Sequence, residues 1–417
     1  MKTSDYEENH VNGATGAEGT GPGQSGLPIQ RAIGPIMLLT SIFFFNFLCR
    51  QMVGPFLPAI EEELGISHAR SGLFVLFMGV GTSLSQLSVP YMAGARGYRF
   101  CILAAMAGGA IAMLFLGMLS SPWQLCLGFF AVGFLGGLYV PSGIAYLTVL
   151  IRPQDWGKAM GIHEIAPNLG LICGPFFASA AISIWSWRLG YIAMAGVMVV
   201  LIIIYGFKGR DVEMKPSPPS FSLIMETAKD PSFWVVGLLL GIAVGIETGV
   251  YAMLPLFLVN ERGFELDSAN HLLGMSRVPG LFMVVFSGWI TDRLTARVTI
   301  LLALSLSGVT LLFLSLGPTG ILVPSIFFQA AAAGCLFPPI LSAASGISTT
   351  QTRAITISLS LAIAPVLGLG LVPAGIGLAG DLGSFSTGLA AAALLTVAGI
   401  PLVNCMKKTA GQQISES

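Results

Sequence analysis

Arg50-Gln-Met-Val-Gly-Pro-Phe-Leu-Pro58 lies in an apolar run, and a second version of it occurs 197 residues later. That version, Glu247-Thr-Gly-Val-Tyr-Ala-Met-Leu-Pro255, shares the valine, the leucine and the final proline. A charged side chain at the centre of a lipid-embedded helix costs about 2.5–3.5 kcal/mol, so neither Arg50 nor Glu247 should face lipid. The repeat therefore predicts two related halves that enclose a polar cavity.

The apolar runs around these segments are long enough to cross a membrane. Of the residues, 54% are hydrophobic and 10% are charged. Runs of about 20 apolar residues predict helices, whereas barrel strands would be about 10 residues of alternating polarity. We predict an all-α membrane protein with twelve spans, at 33–58, 71–93, 100–120, 123–150, 158–183, 188–207, 234–258, 270–290, 298–316, 320–346, 353–379 and 384–405.

The polar segments divide these spans into two pseudo-symmetric six-helix bundles. We predict a disordered cytoplasmic tail at 1–32, a bundle at 33–207, a cytoplasmic linker at 208–233, a bundle at 234–405 and a second tail at 406–417. A second internal match, at an offset of 198, pairs Gly136, Leu138, Tyr139 and Pro141 with Gly334, Leu336, Phe337 and Pro339. Parallel halves of this kind can rock about a central site, which predicts a transporter.

The basic residues predict the orientation, because cytoplasmic loops retain Lys and Arg. With the amino terminus inside, the cytoplasmic side holds Lys2, Arg31, Arg96, Arg99, Arg152, Lys158, Lys208, Arg210, Lys215, Lys229, Arg293, Arg297, Arg353, Lys407 and Lys408. The opposite side holds only Arg70, Arg188 and Arg262. Both termini are therefore predicted to be cytoplasmic, in a plasma membrane or in the inner membrane of a Gram-negative cell.

Several other functions find no support in the chain. The net charge is zero and no basic cluster is present, so we predict no nucleic-acid partner. The six cysteines lack paired spacing and are interpreted as packing residues rather than disulfides or a metal site. There is no nucleophile with a plausible base and no phosphate-binding Gly-Lys-Ser/Thr loop, which argues against an enzyme, a cofactor and an ATP-driven pump.

The loop after the eighth span carries a motif, and residues 33–405 as a whole resemble the major facilitator superfamily. That family's loop signature is Gly-x-Leu-x-Asp-Arg-x-Gly-Arg-Arg, of which this chain keeps Gly288, Asp292, Arg293 and Arg297. The resemblance implies two six-helix bundles around a cavity lined by spans 1, 4, 7 and 10, and a gating role for this loop. The alternative is ordinary anchoring by positive charge. The first-half loop has Gly94 where the family usually has Asp, so gating there is not expected.

The fifth span carries Gly161, Gly170, Gly174 and Pro175 at spacings that resemble a pattern of proton-coupled antiporters. Small residues allow close helix approach and proline permits a bend, so the pattern favours a moving contact between helices. Simple Gly-Pro packing is the alternative.

Two arginines within spans are candidates for substrate binding. Arg50 stands eight residues before a proline, an arrangement that resembles organic-anion carriers of the family, and a guanidinium can hold a carboxylate through two hydrogen bonds. Arg277 in the eighth span would be a second contact. The alternatives are that Arg50 reaches the headgroups or a structural partner, and that Arg277 forms a packing ion pair with Glu247.

Three titratable residues are candidates for proton coupling. Glu247 would respond both to burial and to a nearby arginine, so its charge would depend on substrate occupancy. A purely structural bridge to arginine is the alternative. His163 and Glu164 are candidates for a proton relay near the cytoplasm. Neighbouring helical residues point in different directions, so a solvated position is the competing interpretation.

Polar residues on the expected cavity-lining spans could orient a ligand through hydrogen bonds. These candidates are Tyr139, Tyr251 and Gln329, with Asn46 and Gln51 beside Arg50 as weaker ones. For each of them, packing or a helix–helix hydrogen bond is the alternative.

Together these features favour a secondary transporter of a small organic anion, acting by proton symport as a monomer in the bilayer. The alternative is proton-coupled export of drugs or other amphiphiles, favoured by the fifth-span pattern and by the aromatic cluster Phe43, Phe44, Phe45 and Phe47. A third possibility is a membrane sensor, although no soluble domain large enough to signal is evident.

Overall fold

A computed structural model describes residues 26–209, 216, 218–347 and 353–406. Within these ranges nearly every residue is helical, which confirms the all-α membrane fold. Of the tails predicted at 1–32 and 406–417, residues 1–25 and 407–417 lie outside the described residues, as do Lys2, Arg210, Lys215, Lys407 and Lys408.

The first half contains spans 1 to 6. Its helices are Ile29–Gln51 and Val53–Leu64 in span 1, His68–Leu116 over spans 2 and 3, Pro122–Gly137 and Tyr139–Leu150 in span 4, Trp156–His163 and Ile165–Ile184 in span 5, and Trp187–Lys208 in span 6. A short 3₁₀ turn, Pro153–Asp155, precedes span 5.

The second half contains spans 7 to 12. Its helices are Pro231–Val244 and Val250–Asn260 in span 7, Leu266–Leu294 in span 8, Ala296–Leu316 in span 9, Thr319–Gly334 and Phe337–Ile347 in span 10, Arg353–Pro365 and Val372–Asp381 in span 11, and Phe385–Asn404 in span 12. Two π-helical turns, Gly245–Gly249 and Val366–Leu371, interrupt spans 7 and 11.

The helical segment His68–Leu116 consists of two helices that form two spans rather than one. At 1.5 Å per residue its 49 residues would extend about 70 Å, roughly twice the hydrocarbon thickness. The chain turns at Gly97, whose φ of 80° and ψ of 164° lie outside the helical region. Eleven membrane-length segments in the described residues therefore correspond to the twelve predicted spans.

Thr295 is the counterpart of Gly97 in the second half, 198 residues later, at the turn between spans 8 and 9. Its φ of 86° and ψ of 150° lie in a region that is essentially restricted to glycine and that costs other residues about 1–3 kcal/mol. The family's loop signature has glycine at this position. Thr295 therefore stores strain at the end of the proposed gating loop.

Replacing Thr295 with glycine is expected to stabilise the protein, because glycine adopts this backbone conformation without strain. The thermal melting temperature of the Thr295→Gly variant in detergent should rise. Thr299→Gly is the matched control, since Thr299 is helical and the change should lower the melting temperature. A lower melting temperature for Thr295→Gly would contradict the strain at this turn.

The start of the first span is ordered from Leu27, in contrast to the predicted tail that reached residue 32. Leu27 donates its backbone N–H to Leu150 O at 2.9 Å and accepts from Arg152 N at 3.2 Å. Asp155 accepts from the backbone N–H of Ile29 at 3.1 Å and so caps the first helix from another span. These contacts fix the amino-terminal end of span 1 against the loop between spans 4 and 5.

The segment between the halves contains a helix, Phe221–Lys229, that the sequence analysis did not predict. Pro216 and Pro218 of this segment lie against Gly94, where an added Cβ would stand 2.8 Å from Pro216 O. The family's aspartate would not fit at this position without displacing the linker. The close approach of Pro216 therefore explains sterically why position 94 is glycine and not the family's aspartate.

The two halves are joined by contacts on the face that the sequence predicts to be extracellular. Asp381 at the end of span 11 accepts from the backbone N–H groups of His68 and Ala69, at 2.8 and 3.0 Å. Asn270 donates to Pro55 O at 3.5 Å, and Ser179 bonds the carboxylate of Asp267. Gly54 and Gly72 allow close packing of backbones at Ala252 and Ala374 respectively.

The opposite face is less tightly joined. Gly161, Glu164 and Asp292 are exposed there, and an added Cβ at Gly161 would meet no atom within 4 Å. In the described parts of the chain, the hydrogen bonds between the halves lie on the other face or at mid-membrane. The conformation is therefore closed at the predicted extracellular face.

Candidate functional site

Helix interruptions place the candidate residues in the middle of the spans. In span 1 the helix ends one residue after Arg50, and in span 7 Glu247 occupies the π-helical turn. Tyr139 begins the second helix of span 4. Such interruptions free backbone carbonyls and are frequent at functional sites. The predicted equivalence of the segments at Arg50 and Glu247 thus extends to a broken helix in both halves.

Arg50 is buried, with 7% of its surface exposed, and no carboxylate of the described residues forms an ion pair with it. Its Nη2 donates to Asn46 Oδ1 at a long 3.4 Å, and its Nε has no partner among the residues that the structure describes. The guanidinium lies 5.3 Å from the ring centre of Phe47. Gly136 of span 4 lies against the side chain. An incompletely bonded, buried cation is suited to receive an anion.

Arg277 of span 8 reaches the interrupted part of span 7. Its Nη2 donates to the backbone oxygen of Glu247 at 2.6 Å, and its guanidinium carbon lies 3.8 Å from the ring centre of Tyr251. Arg277 is only 4% exposed and its Nε has no partner in the described residues. The packing ion pair with the Glu247 side chain is not found among the described ion pairs.

The π-helical turn also binds Gln329 of span 10, whose Nε2 donates to Ile246 O at 2.7 Å. Two consecutive carbonyls of the turn therefore accept from side chains of different spans. Gly245 and Gly249 let the turn approach the backbone of Gly368 in span 11. The spacing of these glycines is the sequence signal that could have indicated a close helix contact here.

A small cavity lies between the halves at this depth, lined by Asn168, Leu171, Glu247, Arg277, Gly280, Ala330 and Gly334. It has room for about one water molecule. This cavity is too small for a carboxylate ligand in this conformation, so binding there would require the halves to separate. Asn168 and Leu171 belong to span 5, which the sequence analysis did not include among the lining spans.

Tyr139 and Tyr251 are both buried and already bonded. Tyr139 Oη donates to Leu39 O at 2.6 Å and lies 3.1 Å from His163 Nε2. Tyr251 Oη donates to Leu171 O at 3.1 Å, across the boundary between the halves. Each hydroxyl joins two spans, which agrees with the alternative that these tyrosines form hydrogen bonds between helices. The Tyr251 ring also covers the guanidinium of Arg277.

His163 and Glu164 meet directly, in contrast to the expectation for neighbouring helical residues. One helix ends at His163 and the next begins at Ile165, so the break at Glu164 brings its Oε1 to 3.3 Å from His163 Nδ1. The His163 side chain is fully buried and the Glu164 side chain is 52% exposed. The solvated interpretation is therefore wrong for His163 and holds for Glu164.

The fifth-span pattern packs within its own half. Gly170 contacts Phe47, Gly174 contacts Gln51 of span 1, and Pro175 lies in the helix Ile165–Ile184. Gly161, as described above, contacts nothing closely. Gly170 and Gly174 thus contact span 1 in this conformation, whereas Gly161 lies on an exposed surface.

The gating loop after span 8 forms no latch in this conformation. Asp292 is exposed and has no hydrogen bond or ion pair to a described residue. Arg293 lies over Trp289 at 4.5 Å, and Arg297 donates to Asn404 Oδ1 at 2.7 Å. These contacts remain inside the second half, and a gating role for Asp292, Arg293 and Arg297 stays a prediction.

Comparison with known proteins agrees with this architecture. Residues 39–318 match the model of the Major Facilitator Superfamily. The chain belongs to this superfamily. It is a multi-pass membrane protein and a secondary transporter of small molecules, not an enzyme. The resemblance identified from the loop and helix motifs is thereby confirmed.

Two relatives with similar sequences are multidrug resistance proteins. The multidrug resistance protein MdtG of Salmonella typhimurium is 23% identical over 313 residues, which cover 72% of this chain and 77% of the relative. MdtG of Citrobacter koseri is 24% identical over 305 residues, covering 69% and 74%. The names of both relatives refer to drug resistance rather than to organic anions.

Solved structures share the fold at low sequence identity. A bacterial homologue of the human lysosomal transporter Spinster, in an inward-facing and occupied conformation, superposes with a TM-score of 0.78 at 17% identity, covering 92% of this chain and 98% of that chain. The nucleoside transporter NupG gives 0.76 at 13% identity, covering 89% and 100%. The fucose:proton symporter FucP of E. coli gives 0.64 at 16% identity, covering 90% and 99%.

Proposed function

We propose that this protein transports a small carboxylate-like anion together with protons by alternating access. The observation that carries the proposal is that each half buries one arginine, Arg50 and Arg277, without an ion-pairing carboxylate among the described residues. Burying a cation is costly unless it is paired. A substrate anion would supply the missing charge, and its two oxygens match the donors of a guanidinium.

Glu247 is the proposed site at which substrate and proton interact. Glu247 lines the cavity together with Arg277, which donates to the backbone oxygen of Glu247. An anion near Arg277 would repel a charged Glu247 and so favour its protonation. Release of the anion would reverse this preference. This repulsion between the anion and charged Glu247 couples transport of the anion to transport of the proton.

Uptake into proteoliposomes tests this function. The panel should include monocarboxylates, dicarboxylates, inorganic anions and toxic organic cations, each with and without a proton gradient. Concentrative uptake of a carboxylate that stops when the gradient is collapsed is the expected result. Transport of none of the anions, under either sign of the gradient, would overturn the proposal.

Export of drugs is the second candidate, favoured by the similarity to MdtG and by the aromatic cluster on span 1. Phe43 and Phe47 contact each other, as do Phe44 and Phe45, with ring centres 6.1 and 4.9 Å apart. Phe43 is already buried against Tyr139 and His163. Proton-dependent efflux of toxic cations, unaffected by loss of Arg50, would support this function instead.

Replacing Glu247 with glutamine should separate binding from coupling, because the amide mimics the protonated acid and cannot release a proton. Accumulation of anion against its gradient should be lost in Glu247→Gln. Exchange of labelled for unlabelled anion should remain within a few-fold of wild type. Glu226→Gln, on the exposed face of the linker helix, is the matched control. Undiminished accumulation in Glu247→Gln would exclude Glu247 as the coupling residue.

A further inference from the structure

A second group of polar side chains lies outside the Arg277 cavity, where span 5 packs on spans 1 and 4. His163 is stacked on Phe43, with ring centres 4.7 Å apart, and faces Tyr139 on one edge and Glu164 on the other. The imidazole is fully buried, so both ring nitrogens depend on these two neighbours for hydrogen bonds. The protonation state of His163 can therefore be inferred from which atoms of these two neighbours donate and which accept.

The hydroxyl of Tyr139 determines whether His163 Nε2 carries a hydrogen. Its single hydrogen is donated to Leu39 O at 2.6 Å, because a carbonyl oxygen can only accept. Toward His163 Nε2, at 3.1 Å, the tyrosine oxygen must then accept. His163 consequently carries a hydrogen on Nε2 in every state that preserves this contact.

The second nitrogen faces a carboxyl group. A neutral imidazole with its hydrogen on Nε2 presents a lone pair on Nδ1, which would repel an ionised Glu164 at 3.3 Å. The contact is favourable only when one more proton is present, either on Nδ1 as imidazolium beside carboxylate or on Glu164 as a neutral acid that donates to Nδ1. Both arrangements contain the same number of protons.

We propose that His163 and Glu164 together bind one exchangeable proton, held between Nδ1 and the carboxyl group, at a site separate from Glu247. The proton comes from water and returns to water, and no covalent bond changes. Glu164, which is half-exposed on the open face, provides the entry, and His163 provides the buried end. Because the helix breaks at Glu164, the side chains of these two consecutive residues contact each other and can share a proton.

The other elements packed around His163 bring few titratable groups to it. Span 4 contributes Tyr139, span 1 contributes the uncharged ring of Phe43, and the 3₁₀ turn contributes Asp155, which bonds Ile29 and Arg152 instead. Among these groups, Glu164 is therefore the one acid in contact with the imidazole. Loss of the shared proton would leave two facing lone pairs and release the Glu164 side chain toward solvent.

This site is connected to the cavity along span 5. Asn168, one helical turn beyond Glu164, donates its side-chain N–H to Glu164 O at 3.0 Å and also lines the cavity with Glu247 and Arg277. A change in the backbone at Glu164 is thus transmitted directly to a cavity residue. The use of this proton in transport rests on the proposed function, whereas the existence of the site does not.

Solid-state NMR of the full chain with ¹⁵N-labelled histidine in lipid tests the site without any substrate. The chain has four histidines, so the His163 signal can be assigned with His163→Gln. In acidified wild type, His163 should give an imidazolium signal, and after deprotonation a neutral signal with hydrogen on Nε2. In Glu164→Gln, at a pH where wild type gives imidazolium, the amide can donate to Nδ1 and the imidazolium signal should be lost.

Tyr139→Phe provides an independent test, because it removes the acceptor for Nε2 and leaves the carboxylate as the remaining acceptor. The neutral His163 should then switch its hydrogen to Nδ1. His271, exposed beside Asp267, serves as the internal control and should not change. A neutral wild-type signal with hydrogen on Nδ1, or an imidazolium signal unaffected by Glu164→Gln, would overturn the shared-proton site. Proton-driven anion uptake would be unaffected by that result, so the two proposals fail separately.

Discussion

Replacing Arg50 with methionine is expected to weaken anion binding strongly and, at the same time, to stabilise the substrate-free protein. A charge-assisted hydrogen bond contributes about 1.5–3 kcal/mol, so loss of one contact to the anion should weaken binding about 10- to 150-fold. Methionine retains much of the side-chain volume but removes a buried charge that, within the described part of the chain, has one long hydrogen bond and no ionic partner. Exchange of a poorly paired buried charge for an apolar group is often stabilising.

The combination of the two measurements distinguishes binding from structure. The apparent affinity is measured by the concentration dependence of anion uptake, and stability by thermal melting in detergent. Arg31→Met, exposed at the start of span 1, is the control and should leave uptake unchanged. Arg50→Lys should fall between wild type and Arg50→Met, because it retains the charge but not the paired donors. A destabilised Arg50→Met variant with normal anion affinity would show that Arg50 is structural.

The sequence was sufficient to predict the architecture, because the signals it used are determined by the membrane itself. Long apolar runs require helices, and the repeated segments at Arg50 and Glu247 required two halves. Buried charges in such runs are rare enough that Arg50, Glu247 and Arg277 could be singled out individually. The structure buries both arginines and places Glu247 and Arg277 at one cavity. Their roles in transport stay predictions.

The sequence was not sufficient where the outcome depended on local departures from regular helix. Neighbouring residues on an unbroken helix diverge, so the contact between His163 and Glu164 required knowledge of the break at Glu164. The π-helical turn at Glu247 likewise changes which backbone oxygens are free. Contacts between the halves, such as that of Asp381 with His68, join residues more than 300 positions apart and leave no periodic signal.

Asp381 holds the two halves together in an unusual way, since it caps a helix that belongs to the other half. The helix His68–Leu116 begins after Ser67, whose side chain makes no capping hydrogen bond. The carboxylate of Asp381 accepts from His68 N and Ala69 N in its place, with both oxygens in use. The positive end of the helix dipole adds to this attraction. Phe385 packs on the His68 ring, 4.7 Å away, so the same corner is also held by apolar contact.

Removal of this cap should shift the protein toward a state that is open at the predicted extracellular face. In Asp381→Ala both N–H groups lose a charged acceptor. Because these two bonds are exposed to solvent, each contributes about 0.5–1.5 kcal/mol, so a shift of about fivefold or more in the conformational equilibrium is expected. Spin labels at the exposed positions Arg70 and Leu382, one in each half, would report it as a longer distance. Glu62→Gln removes a negative charge from the same face without touching the cap and is the control. An unchanged distance distribution in Asp381→Ala would mean that the other contacts of this face, including those of Asn270 with Pro55 and of Ser179 with Asp267, keep it closed without the charged cap.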